Sequence, residues 1–144
     1  MSATGENSTD RYLALCRERG LAMTVQRRVI LDELVRRKDH PTADQIYDSV
    51  RDRLPEISRT TVYRVLDTFV KVGAIQKVLH PGAVARFDPI RERHHHLICE
   101  RCGELFDLRA EAVPDVALPT LADGFLIEDY TINFSGICSG CRTC

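Results

Sequence analysis

SRTTVYRVLDTFVKVGAIQKVLHPGAVARFDPI, residues 58–90, is the stretch on which the fold turns. Ser58 stands where a helix N-cap belongs, and Val62, Val65, Leu66 and Phe69 recur at helical spacing over residues 60–72 until Gly73 stops the run. The period then changes. Residues 74–79 and 84–88 are short strand-like runs joined by His80, Pro81, Gly82 and Ala83, a turn rich in breakers, which predicts a β-hairpin.

Three more amphipathic segments lie upstream. Ser8 or Thr9 precedes residues 10–19, with Leu13, Ala14 and Cys16 on one face and Gly20 as the stop. Thr24 precedes Val29, Ile30, Leu31 and Leu34, a run ended by the polar residues 36–40. Thr42, after Pro41, caps a segment that buries Ile46, Tyr47 and Val50. Short helices followed by a two-stranded hairpin are the winged-helix plan, in which the last helix before the wing enters the DNA major groove. In that helix Arg59, Thr60, Thr61, Tyr63 and Arg64 offer hydroxyls, a phenol and two guanidinium groups for base edges, thymine methyls and phosphates. By itself such a segment also suits a solvated helix face; the wing behind it favours DNA.

Charge divides the chain at the same place. The 144 residues are 28% charged and 44% apolar, with a formal net charge of -1. Residues 1–90 carry 15 Lys+Arg against 12 Asp+Glu, a net of +3, whereas residues 91–144 carry 5 against 9, a net of -4. The basic half is the one suited to nucleic acid. No apolar run approaches the ~20 residues of a membrane span, and residues 1–20 lack the apolar core of a signal peptide, so an intracellular protein with no membrane partner is expected.

Five of the six cysteines fall in the acidic half, which is mostly strand-like: residues 94–99 and 104–108 flank one cysteine pair and residues 125–134 precede the other, with a helix-like segment at 111–123 interrupted by Pro114 and Pro119. Cys99 with Cys102 and Cys138 with Cys141 form two Cys-x-x-Cys knuckles 35 residues apart. Without a secretory signal these predict metal ligands before disulfides, and a closed S4 shell predicts a structural zinc, since no position remains for a substrate. Cys144 extends the ending and competes with Cys141 for the fourth place. Just before the first knuckle stand His94, His95 and His96. On a strand His94 and His96 share one face and His95 takes the other; two imidazoles with nearby Asp107 give a nitrogen and oxygen shell suited to Fe(II), Mn(II) or Zn(II).

These residues resemble, in order and over nearly the whole chain, the signatures of the ferric-uptake-regulator family: Met23-Thr24-Val25-Gln26-Arg27-Arg28, His40-Pro41-Thr42-Ala43-Asp44, Thr61-Val62-Tyr63-Arg64, Arg86-Phe87-Asp88 and the run from His94 to Gly103. The resemblance implies an α+β chain with a winged helix-turn-helix DNA-binding domain over residues 1–89. A small α/β dimerisation domain follows over 90–144, with a three-stranded antiparallel sheet. It further implies a cytoplasmic bacterial repressor that binds a pseudo-palindromic operator as a homodimer and is not an enzyme, with Gln26 and Arg27 joining the DNA-contacting set. Its regulatory Fe(II) or Mn(II), with Zn(II) as an alternative, maps onto His40, Asp88, His94, His96 and Asp107. Only the resemblance connects His40 to that site.

Asp88 and Asp107 stand where iron-responsive members typically carry Glu, as in the peroxide-responsive branch, and His95 and Tyr130 replace ligands of an additional metal site. The branch implies that peroxide reacting at Fe(II) oxidises a ligand, His40 or His94, and releases DNA. An iron-, zinc- or manganese-responsive uptake regulator without oxidation chemistry is the alternative, and a zinc-stapled dimerisation module with no regulatory metal is a third reading. A zinc hydrolase lacks support, because no His-Glu-x-x-His motif is present. Two positions depart from the family pattern: Val25 stands where Pro is common, and Ala22 stands where many members place a basic minor-groove residue, a task open to Arg19 or Arg27.

Overall fold

A computed structural model describes residues 8–79, 84–89, 94–119 and 123–143. The hairpin turn at 80–83, most of the stretch after the wing (90–93) and Cys144 lie outside the described residues. Contacts divide the chain into two compact units, Met1–Ile90 and Arg91–Cys144.

The first unit is a winged helix. Its helices are α1 (Ser8–Glu18), α2 (Val25–Arg36), α3 (Ala43–Val50) and α4 (Arg59–Lys71), followed by the wing strands β1 (Ile75–Val78) and β2 (Arg86–Pro89). Hydroxyl caps fix three of the helix starts. Thr24, Ser58 and Thr42 each accept a backbone N–H from the third residue of the helix they cap, and Gln45 returns a side-chain bond to Thr42 to complete a capping box. Thr24 can do this with Val25 in place of the usual proline, because the cap and not the ring sets the backbone.

Ile30, Leu31 and Leu34 of α2, Ile46 and Val50 of α3, and Val62, Leu66 and Phe69 of α4 are fully buried in one core with Ile75 and Phe87 of the wing. Each contributes about 1.5–3 kcal/mol by leaving water. On α1 the buried apolar pair is Tyr12 and Cys16, with Thr9 buried as well, and Ala14 faces solvent. The helix turns its i, i+4 aromatic inward instead of the small residue expected there. Gly73 ends α4 with φ 76°, and a Cβ there would collide with the Arg19 guanidinium, so the turn needs glycine.

The wing does more than follow α4. β2 pairs antiparallel with β1, Ile75 opposite Pro89 and Val78 opposite Arg86. Its other edge holds the segment before α3: Thr42 forms a bridge with Arg86, Phe87 N–H donates to Pro41 O at 2.9 Å, and Arg86 Nη1 donates to His40 O at 3.1 Å. His40 is thereby tied alongside Asp88.

The second unit is built on a three-stranded sheet in the order β4-β3-β5, with β3 His94–Cys99, β4 Leu105–Arg109 and β5 Asn133–Gly136. β3 and β4 are antiparallel, but β3 and β5 are parallel, so the sheet is mixed and not the antiparallel one expected. The reason lies at its end. β3 runs into Cys99 and β5 runs toward Cys138, and strands that deliver both knuckles to one edge must run the same way. β4 has already brought the chain back to the end at which β3 begins, so β5 can start there beside β3. Among the described residues the expected helix at 111–123 is reduced to a 3₁₀ turn, Ala110–Ala112, and the strand expected at 125–134 is ordered as β only from Asn133. Pro114 denies the would-be helix a donor just past its first turn. A short helix, α5 (Ser139–Arg142), closes the described chain. Among the described residues no helix is long and apolar enough to cross a membrane.

Candidate metal centres and nucleic-acid interface

Cys99 ends β3, and the chain reverses through Cys102 to Gly103, whose φ of 75° lets its N–H reach back to Cys99 O at 2.9 Å. The second pair is set the same way, with Cys141 N–H donating to Cys138 O at 3.1 Å across the start of α5. Glu100 N–H donates to Gly136 O at 2.9 Å and Arg101 Nη1 to Cys141 O at 3.0 Å, which locks the knuckles together. The four sulfurs lie within 4.8 Å of one another, and Cys102 Sγ is 3.8 Å from Cys138 Sγ. Zn–S bonds of ~2.3 Å give a tetrahedral edge of about 3.8 Å, so the cluster has the dimensions of a zinc shell.

Its electrostatics also call for a cation. Backbone N–H groups of Cys102 and Cys138 pull the Cys99 thiol down to about 6, while its cysteine neighbours, Cys138 and Cys99 foremost, push Cys141 up to about 12. One thiolate is favoured and a full set is opposed. A divalent ion at the centre reverses that opposition, because each ligand must be deprotonated to bind it.

On β3 the histidine triplet splits by face. His94 and His96 pack edge to face, ring centroids 4.8 Å apart, and lie opposite Asp107 of β4: His94 Nε2 is 3.4 Å and His96 Nε2 3.8 Å from Asp107 Oδ1. In the winged-helix unit His40 Nε2 is 3.8 Å from Asp88 Oδ2. These separations exceed a normal N–H···O bond; the 3.4 Å one equals the edge of a tetrahedral shell with bonds of ~2.1 Å, and the two of 3.8 Å are wider. His40 has φ 51° and is the one positive-φ non-glycine among the described residues; such strain persists where the surroundings over-determine it, and it marks functional sites. His95 faces the other way. Its Nδ1 accepts Ile132 N–H at 3.1 Å, just before β5, and its ring stacks on Tyr130 with centroids 5.9 Å apart.

Five of the predicted DNA-contacting residues, Arg59, Thr60, Thr61, Tyr63 and Arg64, lie at the N-terminal end of α4. Thr60, Tyr63 and Arg64 are exposed, and Thr61 is half-buried with its backbone N–H on Ser58 Oγ at 3.1 Å. Gln26 is exposed at the start of α2, whereas Arg27 is turned back onto Ala22 O at 2.7 Å, so it braces the turn beside the position where a basic residue is absent. Arg59 is engaged too: its Nη1 donates to Asp44 Oδ1 at 2.7 Å and its guanidinium stacks 4.5 Å from the Tyr47 ring centroid. The Tyr63 hydroxyl donates to the same Asp44 oxygen at 3.3 Å, and desolvation together with that carboxylate pushes the phenol up. Asp44 and Tyr47 are functional candidates that sequence reasoning missed. Tyr47 had been read as core, and the charge reversal between Asp44 and Arg59 was the available signal.

The model of the Ferric uptake regulator family matches residues 18–135. The Peroxide operon regulator of Bacillus subtilis is 34% identical over 130 residues, 90% of each chain. Among solved structures, the Helicobacter pylori ferric uptake regulator, described as having three functional metal binding sites, superposes with a TM-score of 0.70 at 21% identity over 92% of this chain and 90% of its own. A zinc-bound manganese uptake regulator superposes with a TM-score of 0.65 at 27% identity, covering 88% of this chain and 98% of its own.

Proposed function

The chain belongs to the Ferric uptake regulator family, and on that premise we propose that it is a metal-dependent transcriptional repressor that senses peroxide. The observation that carries the branch is the donor set. Asp88 and Asp107 accompany His40, His94 and His96, and the chain's similarity to a peroxide operon regulator agrees with that pattern.

His40 and Asp88 from the first unit and His94, His96 and Asp107 from the second would together hold Fe(II) or Mn(II), whose borderline hardness suits imidazole and carboxylate donors. Cys99, Cys102, Cys138 and Cys141 would hold the structural zinc. Donors drawn from both units couple ion occupancy to the setting of one unit against the other, so the operator favours the ion-bound protein and the ion favours the operator-bound protein. When bound, iron(II) would supply the electron that cleaves the peroxide O–O bond; in net terms peroxide takes two electrons from an adjacent imidazole, one oxygen being added to the ring and the other leaving as water. His40 or His94, carrying an added oxygen, is then a poorer donor, and the coupled grip on DNA is lost.

α4 supplies the reading head, with Thr60, Thr61, Tyr63 and Arg64 toward base edges and phosphates, and Gln26 at the start of α2 adds to it. Dimerisation is served by the second unit. Leu97 of β3 sits in register with Phe106 of β4 and Phe134 of β5, and all three are exposed around an apolar hollow of about 150 Å³. A second copy of the chain would cover this row and space two α4 helices for a pseudo-palindromic site in a bacterial cytoplasm. This is regulation by binding and not enzymatic turnover.

The test compares protein loaded with Fe(II) and with Mn(II), before and after peroxide, on a duplex that it selects from a random pool. The expected result is release only in the Fe(II) form, with a one-oxygen mass gain in peptides containing His40 or His94. Release without that gain would refute the oxidation mechanism. Metal-dependent binding indifferent to peroxide would instead favour an uptake regulator, the reading to which similarity with the zinc-bound manganese uptake regulator points.

A further inference from the structure

Arg59 opens the DNA-reading helix, yet it does not stand free. Its Nη1 is 2.7 Å from Asp44 Oδ1 and its guanidinium lies 4.5 Å from the Tyr47 ring centroid, so one edge is neutralised by a carboxylate and one face is covered by an aromatic ring. The same Asp44 oxygen takes the Tyr63 hydroxyl at 3.3 Å. Arg59 and Tyr63 are one helical turn apart on α4, so a single oxygen of α3 governs both a cation suited to phosphate and a hydroxyl suited to a base edge.

Resting on the DNA-binding reading above, we propose that Asp44 is a specificity determinant: it withholds Arg59 from the phosphate backbone and through the same oxygen sets the Tyr63 hydroxyl for base contact. The charge arithmetic makes such a device effective. The first unit has an excess of only +3 with Asp44 already counted, so the one guanidinium per subunit that Asp44 cancels is a sizeable share of the attraction for any duplex. Contacts that depend on base identity are untouched by that subtraction. Affinity without sequence information falls, and the ratio of specific to non-specific binding rises. An isolated exposed ion pair would yield easily to a phosphate. The Tyr47 stack and the shared Tyr63 bond hold this one in place.

The test uses zinc-replete, Mn(II)-loaded protein and two duplexes, one of random sequence and one that the wild-type protein selects from a random pool. Affinity is followed across a potassium chloride series. Asp44→Asn frees Arg59 and steepens the logarithmic salt dependence on the random duplex by about 0.9 per subunit, while the ratio of selected to random affinity falls. In an Arg59→Gln background the same substitution moves the slope by less than half as much. Asp44→Ser, a residue suited to a helix first turn, repeats the measurement should Asn loosen α3, with far-UV circular dichroism as the check. An unchanged slope, or the same change in both backgrounds, overturns the proposal. Failure of the wild-type protein to bind any duplex overturns the DNA-binding reading and the proposal with it.

Discussion

Replacing Cys99 by Ser should unfold the second unit and leave the first standing. Of the hydrophobic residues buried among the described residues, only Ile98, Cys99 and Leu105 lie beyond residue 90, while the core of the first unit spans four helices and the wing. Ile98 and Leu105 together contribute about 3–6 kcal/mol from burial. Ordering even a few strand residues costs a comparable amount, at about 1–2 kcal/mol of backbone entropy each. A metal joining Cys102 to Cys138 closes a loop with 35 residues between them, and a cross-link of that length constrains the unfolded chain by about 4 kcal/mol. Removing it takes away as much as the apolar burial supplies. Zinc content, hydrogen exchange and sedimentation give the assay. Cys99→Ser, or treatment with a strong chelator, should lose zinc, slow exchange in β3, β4 and β5, and the dimer together, while amides of α2 and α4 stay protected. A zinc-free protein that kept slow exchange across β3 and β5 would refute the reasoning, because burial alone would then be holding the sheet.

Three further outcomes are expected. His40→Gly removes a donor but also relieves a left-handed backbone that costs about 1–2 kcal/mol in a side-chain-bearing residue, so metal response should vanish while the melting temperature of the first unit holds or rises; a clear drop in that temperature would show that packing of the imidazole outweighs the strain. Glu33 is buried on α2 between Arg36 at 2.7 Å and Arg53 at 3.2 Å, and Glu33→Ala should destabilise the first unit by about 1–3 kcal/mol, less than for a fully buried pair because both arginines reach solvent. Asp39, just before His40, is held by Arg37 at 2.7 Å, and that guanidinium keeps its carboxyl below the usual range. Because the folded pKa is depressed, its small contribution is present at neutral pH and is lost as pH falls through and below the ordinary carboxylate range. Acid titration of Asp39→Asn should accordingly show a shallower loss of stability than the wild type.

Which parts of this were legible beforehand follows from the range of the forces involved. Caps and periodicity act within a few residues, and Thr24, Thr42 and Ser58 duly start three helices. The two cysteine knuckles are equally local, and their spacing already carried the chemistry of the shell. Strand direction is not local. β5 is parallel to β3 because Cys138 has to return to the edge where Cys99 lies, and the order of residues along the chain does not express that demand. Among the described residues the helical pattern at 111–123 gave way to Pro114 for the opposite reason, a single backbone donor outweighing side-chain period.

The pairing of His40 with Asp88 and the clamp on Arg59 show a further limit, and it bears on what the net charge means. A count of charges along the chain treats Arg59 as one more phosphate ligand, but the fold places Asp44 against it at 2.7 Å and so removes it from the count. Arg27, turned onto Ala22 O, is half withdrawn as well. The +3 of residues 1–90 already sets Asp44 against one cation, and the pairing fixes which cation the reading face loses. A winged helix so weakly charged gains little from non-specific attraction, and its useful affinity has to come from presenting two copies of α4 at the right spacing. Setting that spacing is a task suited to an ion on which the repressor depends, and it reconciles that role with a chain net charge of -1.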